Sequence, residues 1–135
     1  MSRNVEALFA AAKQAFDNAY APYSNFPVGA AVRTPEGEIY AGCNVENAAY
    51  PQGACAEAGA IAAMALSGRR RIAEVLVIGG GAGLCTPCGG CRQRLREFAC
   101  AEMRIHVAGP EGVRASFTLA ELLPQSFGPE NLGLS

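Results

Sequence analysis

Apolar residues recur every three to four positions from Val5 through Leu8, Phe9, Ala12 and Phe16 to Ala19 and Tyr20. That spacing predicts an amphipathic first helix, ended by Ala21-Pro22. Beyond the loop APYSNFP the period shortens. Residues 28–33 and 38–43 read as strands, and Pro35-Glu36-Gly37 between them supplies the turn chemistry of a hairpin. A loop over 44–54 leads to CAEAGAIAAMAL (55–66), apolar nearly all round, which predicts a buried helix capped by Gly68. Residues 74–78 read as a short strand, and the unbroken apolar run from Val75 to Ile78 suits a central position covered on both faces. Gly79 to Gly81 release the chain into a cysteine-bearing loop, and a helix is expected over 92–100, starting at or just before Cys91. Met103, Ile105 and Val107 alternate with Arg104 and His106, as in a half-exposed strand. Val113, Ala115 and Phe117 alternate again after the Gly109-to-Gly112 turn, and a short helix at 119–123 precedes the tail PQSFGPENLGLS.

The resulting order, αββαβαββα, predicts an α/β fold: a mixed five-stranded sheet with right-handed crossovers and helices on both faces. With neither repeat nor linker in view, residues 1–135 are expected to form a single domain.

Composition adds an expectation about assembly. Half the residues are apolar and 17% are charged, more apolar surface than one small sheet covers, so an oligomer is expected. Eleven basic and twelve acidic residues leave a formal net charge of −1. No general attraction to nucleic acid or to a membrane is expected, and a small, near-neutral ligand fits better. The first twenty residues carry charges throughout, unlike a signal peptide, and no apolar run approaches the ~20 residues of a membrane span. A cytoplasmic setting is expected. There the six cysteines serve as metal ligands, catalytic groups or buried thiols rather than disulfides.

Three of those cysteines, Cys85, Cys88 and Cys91, stand three apart in CTPCGGCRQ. Cys88 and Cys91 form a C-x-x-C pair opening a helix, where unpaired backbone amides favour thiolates. Cys55 opens the other helix and would bring a third thiolate. Three protein ligands with an open fourth position describe a catalytic zinc, whereas four closed ligands describe a structural one. Glu57 lies within reach of a metal-bound water and is suited to general acid–base work. An iron–sulfur reading through Cys85 needs a fourth cysteine, and Cys100 lies beyond a helix-length gap. A structural zinc knuckle leaves Glu57 without a purpose. Cys85 is expected to be a bystander, and Cys43 and Cys100 small buried hydrophobes. His106 is expected to be a surface or hydrogen-bonded histidine, and Arg69-Arg70-Arg71 a solvated turn.

C-x-E followed by P-C-x-x-C is the signature of zinc deaminases. The chain resembles the short-form cytidine deaminases almost from end to end, through FPVGAA (26–31), NVENAAYP (44–51), CAE (55–57), PCGGCRQ (87–93) and LLPQSFGPENL (122–132). The resemblance implies a three-layer cytidine-deaminase-like fold, one Zn2+ per chain on Cys55, Cys88 and Cys91, and Glu57 as proton shuttle. It implies that Asn44 and Glu46 bind the ribose 3′-hydroxyl, that Phe26 and Ala56 line the base pocket, and that Phe127 stacks on the base in a neighbouring subunit's site. The implied activity is hydrolytic deamination of free cytidine and 2′-deoxycytidine to uridine and 2′-deoxyuridine with release of ammonia, a pyrimidine-salvage reaction. The implied assembly is a homotetramer with shared active sites.

Two other readings remain. A relative acting on another aminated nucleoside is opposed by NVEN and the Phe127 tail, and a zinc-stabilised binding module by the want of a fourth placed ligand. Editing within a polynucleotide lacks a basic groove. One position departs from the family. Many members carry an arginine directly after the glutamate of C-x-E, and here that residue is Ala58. Three thiolates on a dication leave one net negative charge, which the helix N-termini, and with them Arg92, are expected to temper.

Overall fold

The computed structural model describes residues 3–134. The apolar stripe of α1 (Arg3–Asp17) lays Leu8 and Ala12 against one face of a sheet formed by β1 (Val28–Arg33), β2 (Ile39–Cys43), β3 (Ile72–Gly79), β4 (Ala99–Gly109) and β5 (Gly112–Thr118). The spatial order is β2-β1-β3-β4-β5. β1 pairs antiparallel with β2 and β3, β3 parallel with β4, and β4 antiparallel with β5. The sheet is therefore mixed, as expected, with β3 at its centre. Val75, Leu76, Val77 and Ile78 of β3 are all fully buried, which is why that strand reads as an unbroken apolar run.

The second face carries α2 (Ala56–Leu66) and α3 (Gly89–Phe98), whose Met64 and Leu95 pack with Val32, Val75, Val77 and Ile105. Two glycines let the helices approach the sheet. A Cβ on Gly29 would fall onto the backbone of α1 at Ala12 and Phe16, and one on Gly42 onto the backbone of α2 at Ala56 and Ala60. Both helices are thereby seated close to the sheet, and α2 carries Cys55 at its start.

Several boundaries differ from the sequence reading. α1 stops at Asp17 rather than Tyr20, because the Tyr20 backbone pairs with the 44–46 segment: its amide donates to Asn44 O (3.0 Å), and its carbonyl accepts from Glu46 N (2.9 Å). α3 starts at Gly89, with Cys88 as its N-cap residue, and ends at Phe98 because 99–109 belongs to the longest strand. α2 is buried on one side only: Ala56, Glu57, Ala60, Ile61 and Met64 face inward, while Leu66 is 90% exposed. Its C-terminus closes through Gly68 N to Ala65 O (3.1 Å) and Arg69 N to Met64 O (3.3 Å). A short α4 (Leu119–Leu122) is started by a Thr118/Glu121 capping box.

The three arginines lie past the turn that ends α2, Arg70 and Arg71 exposed as expected, and each has a partner. Arg69 pairs with Glu38, Arg70 donates to Ala65 O (2.8 Å) and Arg71 to Ala99 O (2.7 Å). Cys43 and Cys100 are half-buried rather than buried. His106 is 8% exposed and held between Ser116 Oγ (2.7 Å) and Glu74 Oε2 (2.8 Å), while Glu74 also accepts from Arg33. That ladder places a polar network across β1, β3, β4 and β5. Among the described residues no helix is long and apolar enough to cross a membrane.

Candidate active site

Cys55 and Cys88 are the N-cap residues of α2 and α3, and Cys91 lies in the first turn of α3. Two helix starts thus bring three thiols together, each sulfur within 4.8 Å of the others. Three sulfurs on one tetrahedral zinc, with Zn–S near ~2.3 Å, stand about 3.8 Å apart, so the cluster is of the right size for that ion. Its chemistry fits as well. Burial pushes the Cys55 and Cys91 thiols up, and the Cys91 amide at the head of α3 pulls Cys88 down. A dication is the partner that lets all three carry charge in one place.

Cys85 is not part of the cluster. Its Sγ stands 2.6 Å from where a Cβ on Gly79 would be, so the side chain turns back against the end of β3. There it lines the cavity wall without joining the other sulfurs.

Glu57 projects from the first turn of α2 into the same cluster and is 4% exposed. Burial pushes its carboxyl above the usual range, opposed by its own backbone amide, the Cys91 thiol and Arg94. A buried carboxyl beside a metal-binding cluster is placed for proton transfer.

Beside these groups opens a cavity of about 330 Å³, lined by Cys55, Ala56, Glu57 and Cys88 together with Asn44 and Glu46. A second lobe of about 340 Å³, lined by Tyr23, Ser24 and Tyr50, shares Glu46 with it. Volumes near ~300 Å³ sit at the lower end for small-molecule sites. Glu46 accepts from Tyr23 N (2.9 Å), Ser24 N (3.1 Å) and the Ser24 hydroxyl. Those bonds, the Ser24 hydroxyl first, hold its carboxyl below the usual range. Asn44 accepts from Val28 N (2.9 Å) and donates to Phe26 O (3.0 Å). Both side chains therefore fasten the 23–28 loop, and each keeps bonding capacity for a ligand hydroxyl.

Phe26 and Phe127 stand differently. The Phe26 ring lies over Gly79 and Gly81, 39% exposed, and is not among the residues lining either lobe, unlike the expected base-pocket position. Phe127 is 55% exposed and is outside its own chain's cavity, with its carbonyl bound by Gln93 Nε2 (3.0 Å). Sequence reading missed Ser24, Tyr50 and Arg94. Only Arg94 left a signal, its position three residues after Cys91 on one helix face. Arg92, expected near the cluster, instead binds Pro87 O, Leu122 O and Thr86 Oγ1.

The profile of the cytidine and deoxycytidylate deaminase zinc-binding region matches residues 2–107. The chain is 41% identical over 129 residues to a cytidine deaminase of Sporosarcina psychrophila, spanning 96% of this chain and 95% of that one. The crystal structure of cytidine deaminase from Burkholderia pseudomallei superposes with a TM-score of 0.84 at 40% identity, covering 94% of this chain and 100% of that one. The cytidine deaminase from Mycobacterium leprae gives a TM-score of 0.77 at 43% identity, over 92% and 100% of the two chains.

Proposed function

The chain belongs to the cytidine and deoxycytidylate deaminase family, and we infer from that premise that it is a zinc-dependent cytidine deaminase. It converts free cytidine and 2′-deoxycytidine to uridine and 2′-deoxyuridine with release of ammonia, a pyrimidine-salvage reaction. The observation that carries this reading is the convergence of the Cys55, Cys88 and Cys91 thiols beside the buried Glu57, at the floor of a cavity walled by Asn44 and Glu46.

Zinc held by the three thiolates supplies a Lewis acid that makes water acidic enough to attack a ring carbon at neutral pH. The rest is the work of this chain's own residues. Glu57 would take the proton released from that water and deliver it to ring N3, then take the proton of the hydroxyl formed at C4 and pass it to the departing amine as the C4 carbonyl forms. Its burial beside the cluster supports this role, because there bulk water does not compete for the proton. Asn44 and Glu46 receive the ribose 3′-hydroxyl, an amide and a carboxylate sharing one O–H group. Ala56, beside the cluster, borders the base, and Phe26 reaches it from the loop that Ser24 and Asn44 hold.

The working unit is a homotetramer, with Phe127 of one subunit stacking on the base held by its neighbour. The exposed Leu66 end of α2 and the exposure of Phe127 outside its own cavity support that assembly. Residues 1–135 act as one deaminase domain, supported by the single sheet against which both cysteine-bearing helices pack. A cytoplasmic setting agrees with six unpaired cysteines.

Ultraviolet absorbance of cytidine, 2′-deoxycytidine, cytosine and a cytosine-containing oligonucleotide with the zinc-loaded protein tests the assignment. Turnover of both nucleosides alone is expected; turnover of free cytosine without either nucleoside would overturn it.

A further inference from the structure

Three thiolates around one dication leave a net negative charge beside a buried carboxyl. The chain must hold that charge with something, and α2 brings no cation, since Ala58 follows Glu57. Arg92 is committed elsewhere, with Nε 2.7 Å from Pro87 O, Nη1 2.7 Å from Leu122 O and Nη2 3.1 Å from Thr86 Oγ1. It braces the Thr86-Pro87 approach to α3 and touches no sulfur.

Arg94 has the geometry that Arg92 lacks. It follows Cys91 by three residues on α3, a spacing that sets both side chains on one face. Its Nη1 lies 3.6 Å from Cys91 Sγ, within hydrogen-bond range for sulfur. The same nitrogen stands 3.5 Å from where a Cβ on Gly90 would be, so the guanidinium lies back along the first turn of the helix. The charge of Arg94 is also felt by Cys55 and Cys88 across the cluster.

We propose that Arg94 is a positioning residue of the metal centre: its guanidinium, held against Cys91, withdraws electron density from that sulfur and offsets the cluster's net negative charge. The proposal rests on the reading of Cys55, Cys88 and Cys91 as the metal ligands. With less electron donation from Cys91, the metal polarises its fourth ligand more strongly. Because Arg94 is itself exposed, replacing it leaves the core undisturbed.

Full-length protein carrying Co2+ in place of Zn2+ supplies the test, as wild type, Arg94→Met and Arg94→Lys. A cation bonded to sulfur lowers the energy of its lone pairs, so the thiolate-to-cobalt charge-transfer band of Arg94→Met should move to longer wavelength. Arg94→Lys, which keeps the charge, should return most of the way. In the zinc forms, Arg94→Met should surrender metal at about three- to tenfold lower chelator concentration, with kcat lowered by a similar factor and KM for cytidine unchanged. A band at the wild-type position in Arg94→Met overturns the proposal whatever its activity. A wild-type protein with no thiolate-to-cobalt band overturns the ligand assignment itself and the proposal with it, a failure visible before any substitution is made.

Discussion

Ser24 and Glu46 lock two loops together at the mouth of the cavity. The Glu46 carboxylate accepts from both the amide and the hydroxyl of Ser24, and the same hydroxyl accepts from Phe26 N (3.0 Å). One side chain thus orients the proposed ribose ligand and the proposed base-pocket aromatic. Ser24→Ala removes the hydroxyl from both, so KM for cytidine should rise about three- to tenfold while zinc content stays unchanged. Steady-state kinetics and metal analysis check this together.

The cysteines separate by position. Cys88→Ser should lose most of its zinc and its activity, because Cys88 belongs to the cluster and its thiol is the most readily ionised of the three. Cys85→Ser should keep one zinc per chain and most activity, since that side chain packs against Gly79. Metal analysis showing zinc loss in the Cys85 variant would contradict the ligand assignment.

Glu57→Gln should retain zinc and bind nucleoside, yet lose on the order of a thousandfold or more in turnover, because no proton carrier remains. No other carboxyl shares the cluster with Glu57 among the described residues. Retention of more than roughly a tenth of wild-type turnover would demand a second base.

Phe127→Ala should lower kcat/KM about tenfold to a hundredfold without loss of zinc, as stacking on a base contributes on the order of ~1–3 kcal/mol. Mixing these chains with Glu57→Gln chains creates hybrid sites holding both Glu57 and a neighbour's Phe127. Activity of the mixture should therefore exceed that of either parent. Mixtures no better than the parents' average, or an active monomer by light scattering, would exclude action in trans.

Glu74 makes a prediction about acid. Burial pushes its carboxyl up, but bonds from His106 and Arg33 and their charges bring it below the usual range. Its folded value thus lies beneath its unfolded one. The stabilisation is complete above the unfolded value and disappears as pH falls through the folded value. Glu74→Gln should cost about 1–3 kcal/mol at neutral pH. Urea unfolding of both proteins should show that difference closing below about pH 4.

The amino-acid sequence alone determined the element order, the mixed sheet and the cysteines worth attention. Period-two and period-three-to-four apolar patterns record which side of each element faces a core, and β3 records burial on both sides. Metal chemistry was legible for a similar reason: thiols at two helix starts, with a carboxyl two residues past one of them, are local features of the chain. Tertiary packing decided what depends on direction across space. It turned Cys85 against Gly79 and away from the cluster, and it committed Arg92 to Pro87, Thr86 and Leu122. It left Arg94 against Cys91, and it ended α1 at Asp17 because the Tyr20 backbone had partners in the 44–46 segment. Composition could not choose between Arg92 and Arg94, since both carry the same charge. The turn of α3 and the carbonyls around it made the choice, because a guanidinium goes where its five donors find acceptors.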